Sequence, residues 1–118
     1  MKLEDHVPSL ELCRKYKEVG GQQDSLYFWV QNTLGDWTLN PKVVLSFVEE
    51  GEEWFAAPLA SELMEWEKIN IHWIHPMGEY WQVIDKERMA FADKSFINAL
   101  MQMAIWTKKN AGELEITP

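Results

Sequence analysis

The pattern of hydrophobic and polar positions begins with a predicted helix over residues 8–19. Pro8 and Ser9 suit the start of a helix, because proline lacks the N–H that a first turn leaves unpaired and serine can cap it. The glycine pair at 20–21 suits the end of that helix. Between these signals, apolar side chains recur at helical spacing at Leu12, Tyr16 and Val19.

Short apolar runs between turn residues predict strands in the middle of the chain. Residues 26–30 are aromatic and β-branched, and residues 37–39 follow a turn at Gly35-Asp36 and are expected to end at Asn40-Pro41. Residues 43–48 have no diagnostic period, so a strand and a short helix both stay open, with the strand favoured by three valines. Residues 54–56 are expected to form a brief extended piece.

The second half of the chain predicts a helix, a hairpin and a final helix. Pro58 opens the second helix, whose buried side is expected to carry Leu59, Leu63, Met64 and Trp66. Residues 69–74 and 80–85 read as paired strands around a turn at residues 75–78. The last helix is capped by residue 93 or 95, is apolar around most of its circumference, and is expected to run to about residue 109, before Gly112.

These elements predict the α+β class, with a small antiparallel sheet and about three helices packed on one face. The length of 118 residues predicts a single domain over residues 1–118.

Charge and the first residues narrow the class of protein. With 11 basic and 19 acidic residues the formal charge is −8, which disfavours direct binding to nucleic acid. Residues 1–6 are charged and lack the apolar region of a signal peptide, and no apolar run reaches the roughly 20 residues that cross a membrane. A single cysteine, Cys13, fits a reducing compartment. We expect a soluble, cytoplasmic protein without a membrane partner.

Candidate chemistry is weak throughout the chain. His72 and His75 are three apart on a predicted strand, where they face opposite sides, and no further ligand motif supports a metal. Cys13 reads as a core residue, and the pair Glu62 and Glu65 as a solvated helix face. We expect no catalytic residue, cofactor or metal, and favour a protein that is not an enzyme.

Seven tryptophans and a run of glutamates suggest a surface for a partner. Trp73 and Trp81 are expected to pair across the hairpin. The candidate partner surface comprises Glu49, Glu50, Glu52, Glu53, Trp54, His72 and Trp81. The leading hypothesis is a binding or regulatory protein with a protein partner or a homo-oligomer. The alternative is a small-molecule binder or minor enzyme with its site near His72, Tyr80 and Trp81.

Four segments, residues 7–13, 23–29, 56–66 and 93–106, resemble as a set a group of short, uncharacterised proteins of bacteriophages, prophages and gut bacteria. Those proteins share a VPSLELC start and a central helix of the form APT-SEL-EW, from which this chain departs at Leu59, where a small capping residue is usual. The resemblance implies an origin in a mobile element and a shared fold. None of its motifs is catalytic, so it assigns no residue a role.

Overall fold

The computed structural model describes residues 2–48, 53–69, 71–85 and 89–116, with the backbone alone for residue 72 and residues 111–116. Its helices are α1 (Leu10–Glu18), α2 (Ala60–Trp66) and α3 (Phe96–Ile116), with 3-10 helices at Leu3–His6 and Lys42–Phe47. Its strands are β1 (Tyr27–Gln31), β2 (Trp37–Pro41), β3 (Trp54–Ala56), β4 (Ile71–Met77), β5 (Tyr80–Asp85) and β6 (Ala90–Asp93).

Within the described residues these strands form two separate antiparallel sheets of three strands each, in the orders β2-β1-β3 and β4-β5-β6. The predicted α+β class is therefore confirmed, although the strands are divided between two sheets. Neither β6 nor the division was predicted. The segment Ala90–Asp93 is short and carries two alanines, so it lacks the β-branched pattern that marks a strand.

The first sheet is covered on both faces, which explains the continuous apolar run of β1. Phe28 and Val30 pack with Ala56 against Leu45 and Val48, at the 3-10 helix and the residue that follows it. The opposite face joins the main core. Of the two alternatives left open for residues 43–48, the favoured strand is wrong, and the structure has a short helix, the 3-10 helix at Lys42–Phe47. Here Pro41 fixes the chain at the start of a 3-10 helix, and Leu45 and Val48 cover the sheet without extending it.

The second sheet begins with the predicted hairpin, shifted along the chain. The strand β4 runs to Met77, so the turn falls at Gly78-Glu79, where Gly78 has φ +65°. Pro76 is tolerated inside β4 because β4 is an edge strand. The expected pairing of Trp73 with Trp81 is wrong: Trp73 lies opposite Ile84, and Trp81 opposite Pro76.

The helix α3 is the centre of the molecule, as its apolar circumference predicted. It contacts α1, α2, β5 and β6, and Leu100, Met101 and Met103 are fully buried. The expected end near residue 109 is wrong, since the helix continues through Gly112 to Ile116. One glycine costs a helix only about 1 kcal/mol relative to alanine, and the glutamates and leucine around it favour helix.

The helix α1 follows its capping signals, whereas α2 begins at Ala60, two residues after the Pro58 that was expected to open it. Ser9 caps α1 by accepting a hydrogen bond from the Leu12 N–H, and Gly20 ends the α1 segment with φ +87°. In α2, Leu63 is buried as expected, whereas Met64 is exposed.

None of the helices in the described part of the chain has the length and apolarity that crossing a membrane requires.

Candidate functional site

Two helix starts meet at one side of the molecule. The backbone N–H of Ser9, at the start of α1, donates a 2.8 Å hydrogen bond to Oδ1 of Asn98, in the first turn of α3. Ser95 caps α3 through Oγ, which accepts from the Asn98 N–H at 3.3 Å. Asn98 therefore fixes the start of α1 to the start of α3.

A cleft of about 660 Å³ opens beside these helix starts. Its volume lies within the range of roughly 300–1,000 Å³ that is typical of small-molecule sites. Its lining comes from the 3-10 helix at Leu3–His6, the start of α1, β1, β5 and the start of α3. The lining residues that carry aromatic rings or charge are Glu4, Asp5, Trp29, Trp81, Lys94 and Phe96.

The aromatic side chains of the cleft lining are held in place by a hydrogen bond and a ring contact. Nε1 of Trp29 donates a 3.1 Å hydrogen bond to the Pro8 carbonyl. The rings of Trp81 and Phe96 meet edge to face, with centroids 6.2 Å apart and planes at 70°. Trp81 is 40% exposed and lines the cleft. The two rings, with planes 70° apart, form an aromatic corner in the lining of the cleft.

The charges of the cleft lining are two carboxylates and one ammonium. Glu4 and Asp5 are exposed on the 3-10 helix at Leu3–His6, and Asp5 Oδ2 accepts a 3.2 Å hydrogen bond from the Lys2 N–H. Nζ of Lys94 lies 6.0 Å from the centroid of the Tyr80 ring. The net charge of the lining is therefore negative.

The second sheet has two faces with different surroundings. Opposite residues of antiparallel strands share a face, and successive residues alternate between faces. Val83 is fully buried, and Trp81 and Phe91 on the same face meet α3 through Phe96 and Trp106. The helix α3 therefore packs on this inner face.

The outer face of the second sheet carries the residues of the opposite parity: Trp73, His75, Met77, Tyr80, Gln82, Ile84, Ala90 and Ala92. Trp73 is 55% exposed, Met77 50% and Tyr80 48%. Together these three side chains leave on the order of 300 Å² of largely apolar surface open to solvent. Patches of this size on a monomer are often functional.

The glutamates of the predicted partner surface are mostly outside the described residues. This holds for Glu49, Glu50 and Glu52, whereas Glu53 is exposed just before β3. For His72 the structure describes the backbone in β4 only.

The two tryptophans of that predicted surface lie in different sheets. Trp81 lines the cleft. Trp54 is half-buried in β3, with its ring 5.5 Å from that of Phe28 and Nζ of Lys17 4.0 Å from its centroid. Nζ of Lys17 also donates a 3.0 Å hydrogen bond to the Trp54 carbonyl.

The cleft brings together residues that sequence reasoning did not connect. Trp29 was assigned to a strand and Phe96 to a helix. None of Glu4, Asp5 and Lys94 was predicted to be a site residue. Trp81 and the capping signals at Ser9 and Ser95 are the features of the site that the sequence marked, and nothing in a linear pattern shows that the two caps meet.

Cys13 lies in the core as expected, whereas Glu62 differs from the solvated helix face that was expected for it and Glu65: Glu65 is exposed, but Glu62 is half-buried and hydrogen-bonded. The Cys13 thiol is fully buried and lies 3.6 Å from the Pro8 carbonyl oxygen, and burial raises its pKa to about 12. A thiol with this pKa is protonated at neutral pH and is a poor nucleophile. Oε1 of Glu62 accepts from the Leu59 N–H and from Oγ of Ser25, both at 3.0 Å. Leu59 has no acceptor in its side chain, so Glu62 supplies the polar contact at the start of α2.

Across the described residues, histidine, cysteine, aspartate and glutamate side chains form no group of three that holds a metal ion. Comparison with protein-family models, with curated proteins and with solved structures finds no match to the chain.

Proposed function

We propose that the chain is a non-enzymatic protein that works by binding another protein, and that the outer face of the second sheet is its contact surface. The observation that carries the proposal is the exposure of Trp73, Met77 and Tyr80 together on that face. Tryptophan and tyrosine are the residues that most often dominate binding energy at protein interfaces, and methionine is also enriched there.

The burial of Cys13 supports the non-enzymatic part of the proposal. It is the only cysteine of the chain, it lies in the core, and its raised pKa keeps the thiol protonated. The phenol of Tyr16 is likewise fully buried, and its pKa is raised by burial and by the neighbouring Glu67 carboxylate. Both groups are therefore held in their unreactive form.

The proposal is tested by capture from a lysate of the source cells, followed by binding measurements with the purified partner. A double variant, Trp73→Ser with Met77→Ser, removes the centre of the outer face. We expect it to bind the partner at least about 30-fold more weakly, because a central tryptophan contributes roughly 2 kcal/mol or more to such interfaces. Light scattering of the purified protein alone measures its oligomeric state, and a homo-oligomer would identify a second copy of the chain as the partner.

The matched control is the double variant Leu34→Ser with Phe47→Ser. These two side chains are 85% and 81% exposed and belong to the turn before β2 and the 3-10 helix at Lys42–Phe47, outside the second sheet. It should bind the partner as the wild type does. Equal weakening by both double variants, or by neither, would remove the outer face as the contact surface.

The predicted contribution of the glutamates to partner binding is tested separately, by reversing the charge at Glu49, Glu50, Glu52 and Glu53. Unchanged partner binding would exclude these glutamates from the mechanism.

A second candidate function is small-molecule binding, which the cleft beside Trp81 favours. Its volume of about 660 Å³ and its aromatic corner suit a small ligand. Tyr80 and Trp81, two residues of the predicted small-molecule site, lie on opposite faces of β5, and Trp81 is the one that lines the cleft.

A cytoplasmic location and an origin in a mobile element are further parts of the proposal, and both rest on the sequence.

A further inference from the structure

The geometry points to an organic cation, an ammonium or guanidinium group, as the ligand of the cleft, seated against the rings of Trp81 and Phe96 with Glu4 and Asp5 in the same lining. This inference rests on the second candidate function and names the chemistry of its ligand.

The aromatic corner supplies the first part of the recognition. An organic cation is attracted to the face of a tryptophan or phenylalanine ring, and two rings at 70° to each other offer two walls to one cation. The hydrogen bond from Trp29 to the Pro8 carbonyl adds a third aromatic residue whose position is already fixed. Binding would therefore need little rearrangement of the aromatic side chains.

The charges supply the second part. Glu4 and Asp5 outnumber Lys94 in the lining, and the ammonium of Lys94 lies beside the Tyr80 ring, which belongs to the outer face. The chain as a whole carries a formal charge of −8, so its field attracts cations.

The helix starts beside the cleft do not favour an anion instead. Four of the backbone N–H groups at these starts already have internal acceptors. Those of Ser9 and Asn98 donate to Asn98 Oδ1 and Ser95 Oγ, and those of Leu12 and Ser95 donate to Ser9 Oγ and Asp93 Oδ1. These N–H groups are therefore not free to donate to an anion, although a helix start would otherwise favour one. An anion in the cleft would also be repelled by the carboxylates of Glu4 and Asp5.

The test uses choline and its neutral isostere 3,3-dimethyl-1-butanol, titrated into the full chain labelled with 15N. Binding is followed by the indole N–H signals of Trp29 and Trp81, the latter assigned from its absence in Trp81→Phe. We expect choline to shift both signals in a saturable manner and to bind at least about fivefold more tightly than the neutral isostere.

Three variants locate the site. Trp81→Leu should weaken choline binding at least about fivefold, read from the Trp29 signal, while Trp73→Leu on the outer face should leave it unchanged. The double variant Glu4→Gln with Asp5→Asn should weaken choline but not the isostere. The remaining indole signals verify that each variant is folded.

A second pair of probes distinguishes the sources of the cation. Blocked arginine, Nα-acetyl-arginine amide, represents a partner's side chain, and blocked citrulline is its neutral counterpart. Choline binding more tightly than blocked arginine indicates a free small cation, and the reverse order indicates a guanidinium group on a peptide. Either order supports the inference, provided that each cation binds more tightly than its neutral counterpart.

The outcomes that overturn the inference are separable from failure of the second candidate function. If the isostere or citrulline binds as well as its charged counterpart, the cleft is a binding site but not a cation site. If inorganic phosphate shifts the two indole signals and choline does not, the cleft prefers anions. If no probe shifts either signal, both the inference and small-molecule binding at this cleft lose their support.

Discussion

The hydroxyl of Tyr16 donates a hydrogen bond to the Oε2 carboxylate oxygen of Glu67, and so joins the middle of α1 to the residue that ends α2. The Tyr16 side chain is fully buried, whereas Glu67 is half-buried. The two residues are far apart in the sequence, and this hydrogen bond links the two helices.

Replacing Tyr16 by phenylalanine removes this bond and leaves the Glu67 carboxylate without its buried donor. We expect Tyr16→Phe to lower the free energy of unfolding by about 1.5 kcal/mol, the usual contribution of a hydrogen bond to a charged group. Urea unfolding measures the change. The matched control, Tyr80→Phe, alters an exposed tyrosine and should stay within about 0.5 kcal/mol of the wild type. Equal losses in the two variants would show that the bond to Glu67 does not stabilise the fold.

The ring of Tyr16 also restricts Gly21. A Cβ atom at Gly21 would lie 2.4 Å from Cδ2 and Cε2 of Tyr16, whose ring is fully buried. We expect Gly21→Ala to lower the free energy of unfolding by about 2–3 kcal/mol through overpacking.

The comparison for Gly21 is Gly78→Ala, at a turn with φ +65° where an added Cβ meets no atom within 4 Å. That change costs only backbone strain, about 1 kcal/mol. Urea unfolding of both variants gives the difference, and a smaller loss at Gly21 than at Gly78 would mean that Tyr16 moves aside.

The buried thiol of Cys13 makes the free energy of unfolding fall as the pH rises into the alkaline range. Its pKa in the folded state is about 12, above the roughly 8.5 of an unfolded cysteine, so the unfolded chain releases the proton first. The stabilisation is therefore complete below about pH 8.5 and is lost as the pH rises towards 12. We expect the wild type to lose about 1.5 kcal/mol more than Cys13→Ala between pH 8.5 and pH 10.

Urea unfolding at three pH values in this range, for both proteins, measures that difference. Other titrating groups are shared by the two chains and cancel in the comparison. Parallel pH profiles would place the Cys13 thiol in a more polar environment than the core described above.

The sequence identified elements whose signals are local. The cap at Ser9 and the left-handed glycines at 20 and 78 lie where their chemistry predicts, and the apolar circumference of α3 correctly places it at the centre. For residues 43–48 the sequence left strand and short helix open and the favoured strand was wrong, because a short apolar run packs equally well as a strand or as a 3-10 helix over a sheet.

The candidate site was less predictable than the fold, because it depends on contacts between distant residues. Trp81 was selected for its ring alone, and its neighbours Trp29 and Phe96 come from elements that only the fold brings together. The exposure of Trp73 depends on strand parity and on the bulge between Ile71 and Trp73, which no periodicity reveals.

Asn98 provides the sharpest test of how the two helix starts are joined. Its Oδ1 accepts from the Ser9 N–H at 2.8 Å, so Asn98→Ala should lower the free energy of unfolding by about 1 kcal/mol. Asn98→Asp keeps an acceptor at this position and adds a negative charge in the first turn of α3, where the helix dipole favours it. We therefore expect Asn98→Asp to remain within about 0.5 kcal/mol of the wild type in urea unfolding. Equal losses in the two variants would show that the contact depends on the amide N–H₂ of Asn98 and not on its oxygen.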